Sequence, residues 1–276
     1  MCIAYLAIRP HSDWPLFIAA NRDEFHARPT LAAAPWKDCP DVIAGIDMTA
    51  RGTWLGVTRQ GRYALLTNYR DPGSHRPDAA SRGGLVAQYL AGAVDPQAYA
   101  GQVAGEAAQY NGFNLIVGDL DGACYVSNRG DGEQACMLGA GRYVLSNHLL
   151  DTAWPKTQRL RAALDRYPLD RLDGSVTPVF DILRDTTQAE DAALPRTGLA
   201  LERERLLSSP FIVSPDYGTR CSTVIAVHAD GHALFSEVSY DAQGRAARRH
   251  DWPFRVAQPG GRPWPPHPRC VSGSIA

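Results

Sequence analysis

The sequence predicts an α+β protein, a four-layer αββα sandwich of two mainly antiparallel sheets. Three observations carry that prediction. Short apolar runs alternate with turn residues along most of the 276-residue chain. Helix-like text is confined to two blocks, near residues 81–110 and 154–207. No strand–helix–strand rhythm appears, so helices segregate to the outer faces of antiparallel sheets and do not cross between parallel strands.

The elements follow in order. Cys2–Ile8 and Leu16–Ala20, separated by Arg9-Pro10-His11-Ser12-Asp13, read as a hairpin whose first strand begins at the second residue. Residues 54–58 and 63–67 form a second pair around Arg59-Gln60-Gly61-Arg62. Leu85, Val86, Tyr89 and Leu90 recur at helical spacing behind Ser81, a capping residue type. Asp95-Pro96 reads as an N-cap followed by proline at the first helical position, and Asn111-Gly112 ends that helix. A hairpin over 113–118 and 123–127 turns at Asp121-Gly122, and the meander is expected to continue as 135–138 paired with 143–146 across Gly139-Ala140-Gly141. Helices return at 154–167, 177–183 and 199–207. A last hairpin, 223–229 with 233–240 across Asp230-Gly231, is followed by a strand toward Trp252. Residues 1–252 read as one domain, and 253–276, with six prolines, as an irregular tail.

Composition narrows the function. With 28 Lys+Arg against 29 Asp+Glu the net charge is −1, and the isoelectric point lies near 6.7. Such a chain lacks the basic excess that neutralises a nucleic-acid backbone or an anionic membrane surface. No run of eighteen apolar residues occurs, and the start of the chain lacks the basic and apolar regions of a signal peptide, so a cytoplasmic protein without a membrane span is expected. The six cysteines include no CxxC pair, which excludes zinc-ribbon and thioredoxin motifs and fits mostly reduced thiols. Gly130–Ala135 matches a dinucleotide-binding spacing but opens no helix, and His228 and His232 flank a hairpin turn, so no metal site is expected.

Cys2 is the residue with chemistry to offer. Removal of Met1 would leave a thiol nucleophile and a free α-amine on one residue, and an amine titrating around 7.7–8.0 can take the thiol proton near neutrality. The hairpin brings Asn21, Arg22, Asp23 and Glu24 beside it, and Asn68, Asn147 and Arg220 stand at other strand ends. Asparagine amides at such points can donate to an oxyanion.

Met1-Cys2, Asn21-Arg22-Asp23-Glu24-Phe25 and Arg28-Pro29-Thr30 together resemble the NRDE family, also called the transport-and-Golgi-organisation-2 family. Gly52-Thr53-Trp54-Leu55-Gly56, Leu66-Thr67-Asn68-Tyr69-Arg70, Ser81-Arg82-Gly83, Leu145-Ser146-Asn147, Leu150 to Lys156 and Tyr217-Gly218-Thr219-Arg220 extend the match to about residue 240. The resemblance implies an N-terminal-nucleophile hydrolase fold similar to bile-salt hydrolases and penicillin V acylases. It then implies Cys2 as nucleophile, Asp23 holding its α-amine, Asn68 and Asn147 serving the oxyanion, and Arg220 orienting the site. Asn21, Arg22, Glu24, Arg28 and Arg70 become the candidate substrate-binding residues. Where those acylases carry an arginine ahead of the asparagine on the second strand, this chain has Ala20, and Arg22 is the nearest substitute.

The expected activity is hydrolysis of an amide bond in a small acylated substrate, with no cofactor required. The resemblance also implies a non-enzymatic alternative on the same scaffold, the handling of haem, a lipid or an acyl-CoA. His26 and His148 are then candidate haem ligands, and Arg22, Arg28, Arg70 and Arg220 candidate partners for its propionates.

Overall fold

A computed structural model describes residues 2–256 apart from 131 and 133, so Met1, two residues of the Gly130–Ala135 motif and the tail beyond 256 lie outside the described residues. Thirteen strands are described: β1 (Cys2–Ile8), β2 (Leu16–Phe25), β3 (Thr30–Pro35), β4 (Val42–Asp47), β5 (Leu55–Thr58), β6 (Tyr63–Asn68), β7 (Phe113–Gly118), β8 (Ala123–Ser127), β9 (Ala135–Leu138), β10 (Gly141–Leu145), β11 (Tyr217–Val227), β12 (His232–Tyr240) and β13 (Ala246–Arg255). Five α-helices join them: α1 (Gly83–Ala91), α2 (Pro96–Gly105), α3 (Pro155–Asp165), α4 (Thr177–Leu183) and α5 (Leu201–Leu206).

The strands form a six-stranded sheet ordered β10-β1-β2-β11-β12-β13 and a seven-stranded sheet ordered β3-β4-β5-β6-β7-β8-β9, antiparallel at every pairing. The apolar residues sort into layers by the two-residue alternation of strands. Leu6, Ile18, Ile225 and Phe235 of the first sheet pack against Ile43, Leu55, Leu65 and Ile116 of the second. The opposite face of the first sheet, with Tyr5, Phe17 and Val224, is covered by Leu160 and Leu164 of α3 and Phe180 and Leu183 of α4. The outer face of the second, with Ala64, Leu115 and Val117, lies under Val86, Tyr89, Tyr99 and Val103 of α1 and α2. Each large side chain so buried contributes about 1.5–3 kcal/mol. The predicted αββα sandwich is therefore the observed one.

Several local expectations change. The second strand does not stop at Ala20 but runs on through the polar residues to Phe25, because β11 pairs with it along that whole length and supplies the missing hydrogen bonds. Strands β3 and β4 were not anticipated. The hairpin expected across Gly139-Ala140-Gly141 does not form: β9 closes the second sheet and β10 enters the first, beside β1. The third predicted helix of the second block contracts to Leu201–Leu206. Asp95 caps α2 as expected, accepting from the Ala98 amide at 2.9 Å, whereas α1 begins after Arg82 without a side-chain cap. The last strand carries on past Trp252 through Pro253 to Arg255.

Candidate functional site

The passage of the chain from β9 to β10 delivers Ser146, Asn147 and His148 to the seam between the sheets. Their three successive carbonyls each accept from the second sheet or its exit: Ser146 from Thr67 Oγ1 at 2.5 Å, Asn147 from the Arg70 amide at 2.7 Å, and His148 from Asn114 Nδ2 at 3.0 Å. This stapling holds the ends of β1, β6 and β10 together. Ser146 Oγ lies 2.9 Å from the Cys2 carbonyl and 3.1 Å from Asn147 Oδ1, and its single proton serves one of them at a time. Asn147 is fully buried and donates through Nδ2 to the carbonyl and the side-chain oxygen of Asn68 at 3.2 and 3.1 Å. The Asn68 amide nitrogen makes only a long 3.5 Å contact, to the Tyr69 carbonyl.

Cys2 is half-buried at the start of β1, directly opposite Arg22 on β2. Ala20 and Arg22 are two residues apart, so both side chains share the inter-sheet face. Burial raises the Cys2 thiol above its ordinary pKa, opposed by the positive N-terminus; the negative charge of Asp23 adds to the rise, while Arg22 and the Asp23 amide lower it. Asp23 is buried and accepts from Thr219 Oγ1 at 2.7 Å. Burial pushes its carboxyl up, against the N-terminal charge, Lys156, the Thr219 hydroxyl and Arg22.

The remaining predicted residues divide. Arg22 donates to Asp47 Oδ2 at 3.1 Å and lies 4.4 Å over the Trp54 ring, and Arg28 donates to the same oxygen at 2.6 Å. Glu24 lies 3.8 Å from both guanidinium groups. These residues build a charged rim around Asp47, whose carboxyl is held below its ordinary value despite its burial, chiefly by Arg28. Arg220 sits at the bulge between Thr219 and Cys221, and the bulge turns its guanidinium to the carbonyls of Phe25, His26 and Arg28 at 2.9, 3.2 and 3.2 Å. It braces the loop that carries Arg28. Arg70 pairs with Glu204 at 2.6 Å inside the protein and lies 4.6 Å from the Trp154 ring. Asn21 falls outside the group. On the helix-side face of β2 its amide donates to Leu183 and Pro210 carbonyls at 2.8 and 2.9 Å and accepts from Ser222 at 2.6 Å, so its hydrogen bonds are spent under α4. His148 lies against Tyr69 and Trp154 with Nδ1 at 2.9 Å from Thr152, and His26 Nε2 is 3.0 Å from the Ser214 carbonyl.

Sequence reasoning missed three contributors. Lys156 is buried on α3 with Nζ 3.1 Å from Asn147 Oδ1. Glu204 holds Arg70, and Arg82 is in the electrostatic reach of Cys2 while donating to the Gly112 carbonyl at 2.7 Å. Lys156 and Arg82 both lie in the segments that carry the family resemblance, which was the signal available.

Fold and site define an αββα sandwich protein with a cysteine at the first strand end and two asparagines joined across the seam of its sheets. The chain belongs to the Transport and Golgi organisation 2 family, whose profile matches residues 1–242. It is 40% identical over 260 residues to the Transport and Golgi organization protein 2 homolog of Bos taurus, covering 87% of this chain and 93% of that protein. The Homo sapiens homolog is 36% identical over 258 residues, with the same shares covered. Among solved structures it is similar to a Caenorhabditis elegans N-acylethanolamine-hydrolyzing acid amidase ortholog (13% identity, TM-score 0.44, 81% of this chain and 92% of that one). A further similarity is to the C2A mutant of conjugated bile acid hydrolase from Clostridium perfringens (11% identity, TM-score 0.43, 91% and 92% covered). Among the described residues no helix is long and apolar enough to cross a membrane.

Proposed function

We propose that this protein is a cysteine amidohydrolase of the N-terminal-nucleophile type, acting on an amide of a small acylated substrate. The observation that carries the reading is the convergence of Cys2, Arg22, Asp23, Asn68 and Asn147, from three strands and a connecting segment, at one end of the sandwich.

With Met1 removed, the Cys2 α-amine takes the thiol proton and Asp23 holds the resulting ammonium. The thiolate sulfur attacks the amide carbonyl carbon, and the carbonyl π electrons move onto oxygen. Asn68 Nδ2, whose contact in the free protein is long, donates to that oxyanion, while Asn147 Nδ2, bonded to both oxygens of Asn68, holds that residue in place. Collapse breaks the carbon–nitrogen bond, the ammonium proton goes to the leaving amine, and water hydrolyses the thioester to return the thiol and release the acid. Arg22, pinned opposite Cys2, favours the thiolate. Haem handling draws less support, because Arg22 and Arg28 are paired with Asp47 and Arg220 is spent on backbone carbonyls.

Intact-mass measurement of the purified protein and a panel of N-acyl amide substrates test the reading. A chain beginning at Cys2, an acyl adduct on that residue and loss of hydrolysis in Cys2→Ala are expected. Retention of Met1, or hydrolysis undiminished in Cys2→Ala, overturns it.

A further inference from the structure

Thr219 is buried opposite Asp23 where β11 pairs with β2, beside the bulge at Arg220. Its hydroxyl meets two groups among the described residues. The Ile212 amide donates to Oγ1 at 2.9 Å, and Oγ1 lies 2.7 Å from Asp23 Oδ1. A hydroxyl has one proton to give and an amide N–H can only donate, so the Thr219 proton points at Asp23. The Thr219 amide returns a bond to the Ile212 carbonyl at 2.8 Å, which fastens the segment before β11 to the strand. Gly218 permits this approach, since a β-carbon there would come within 2.7 Å of the Ile212 carbonyl oxygen. The direction of the hydroxyl is therefore set by the main chain.

A proton aimed at Oδ1 favours the carboxylate over the carboxylic acid, and 2.7 Å is the length of a charge-assisted bond. Asp23 needs that support, because its burial pushes the carboxyl up and the Thr219 hydroxyl opposes the rise. Asp23 in turn touches Cys2: its amide hydrogen-bonds the Cys2 sulfur. A chain of hydrogen bonds thus runs from Ile212 through Thr219 and Asp23 to the candidate nucleophile.

We propose that Thr219 is a positioning residue for Asp23: its hydroxyl, aimed by the Ile212 amide, keeps Asp23 a carboxylate in one orientation beside Cys2, ready to hold the α-ammonium. Its part in catalysis rests on the reading of Cys2 as nucleophile, whereas its hold on Asp23 is measurable without a substrate and without the removal of Met1.

Protein labelled with ¹³C at the aspartate Cγ gives an Asp23 signal, assigned by its loss in Asp23→Asn. Its titration midpoint is compared in the wild type, in Thr219→Val, which keeps the branched shape without the hydroxyl, and in Thr219→Ser, which keeps the hydroxyl. The other titratable and charged groups facing Asp23 are common to all three: the N-terminal ammonium, Cys2 on β1, Arg22 on β2, Lys156 on α3 and Tyr217 on β11. Thr219→Val should raise the midpoint by about one pH unit, roughly a tenfold gain in proton affinity, and Thr219→Ser should stay close to the wild type. A threonine that only packs would lower stability in Thr219→Val and leave the midpoint in place. That result overturns the proposal, as does a Thr219→Ser midpoint that moves with Thr219→Val. Where Thr219→Val fails to fold, the wild-type hydroxyl proton decides. Shielded between Ile212 and Asp23, it should give a slowly exchanging NMR signal that shifts as Asp23 titrates, and a missing or unresponsive signal overturns the proposal. Where the wild type hydrolyses an N-acyl amide, the acid limb of kcat should move up with the Asp23 midpoint in Thr219→Val, with kcat about tenfold lower below it; an unmoved limb removes Thr219 from the catalytic site. Failure of the hydrolase reading shows separately, as a retained Met1 or absent hydrolysis beside an Asp23 that responds to Thr219.

Discussion

Asn147, just past β10 of the first sheet, donates through its amide to both oxygens of Asn68, which ends β6 of the second, at 3.2 and 3.1 Å. The contact closes the seam at the end where Cys2 emerges, and it does so without solvent, since Asn147 has no exposed surface.

Asn147→Ala should therefore cost about 1–3 kcal/mol, because it strips a buried acceptor from Lys156 and a donor from Asn68. Asn68→Ala keeps the main-chain oxygen that Asn147 uses and should cost about 1 kcal/mol or less. Urea denaturation of the two variants gives the comparison, and equal losses would contradict it.

The Arg70–Glu204 pair, 2.6 Å long with both side chains 4% exposed, makes a second prediction. Arg70→Met alone strands a buried carboxylate and should destabilise by about 3–5 kcal/mol. The double variant Arg70→Met/Glu204→Leu should recover most of the loss, since a well-packed apolar pair can replace a buried ion pair. The same denaturation curves read both.

Gly52 is placed where a β-carbon would come within 2.4 Å of the Gly83 backbone. Its neighbour Thr53 donates to the Gly83 carbonyl at 3.2 Å, which fixes the start of α1 and with it Arg82. Gly52→Ala should cost about 1–3 kcal/mol by forcing two backbones apart. Gly73→Ala, which meets nothing within 4 Å, should stay within about 0.5 kcal/mol of the wild type. Thermal unfolding of the pair is the check.

Lys156 predicts a pH dependence of stability. Its pKa is about 7 in the folded protein against 10.5 for the free side chain. Between these values the unfolded chain binds the extra proton, so stability rises with pH across the window and is lost as pH falls toward 7. Lys156→Met lacks this slope and should gain most on the wild type below about pH 7. Denaturation midpoints measured from pH 6 to 10 would show parallel curves if the lysine titrated normally.

Much of this protein is determined locally. The alternation of apolar residues, the Asp95-Pro96 cap and the Asp121-Gly122 turn specify elements that form where they are expected, because each depends on residues within a few positions of one another. Cys2, Asp23 and Asn147 could be singled out for the same reason, as reactive or polar types at strand ends. What local pattern could not supply was pairing. Whether residues 21–25 are a turn or a strand depends on β11, some two hundred residues away, and whether β10 follows β9 or joins β1 depends on which edge lies open. The surroundings of Lys156 are decided in the same way. Its acceptor and the groups that perturb it come from β1, β2, α5 and the ends of β6 and β10, so only the packed sandwich turns a helix-surface residue type into a buried group against Asn147. Burial and long-range proximity are properties of the tertiary structure, and the chemistry at this end of the sandwich follows from them.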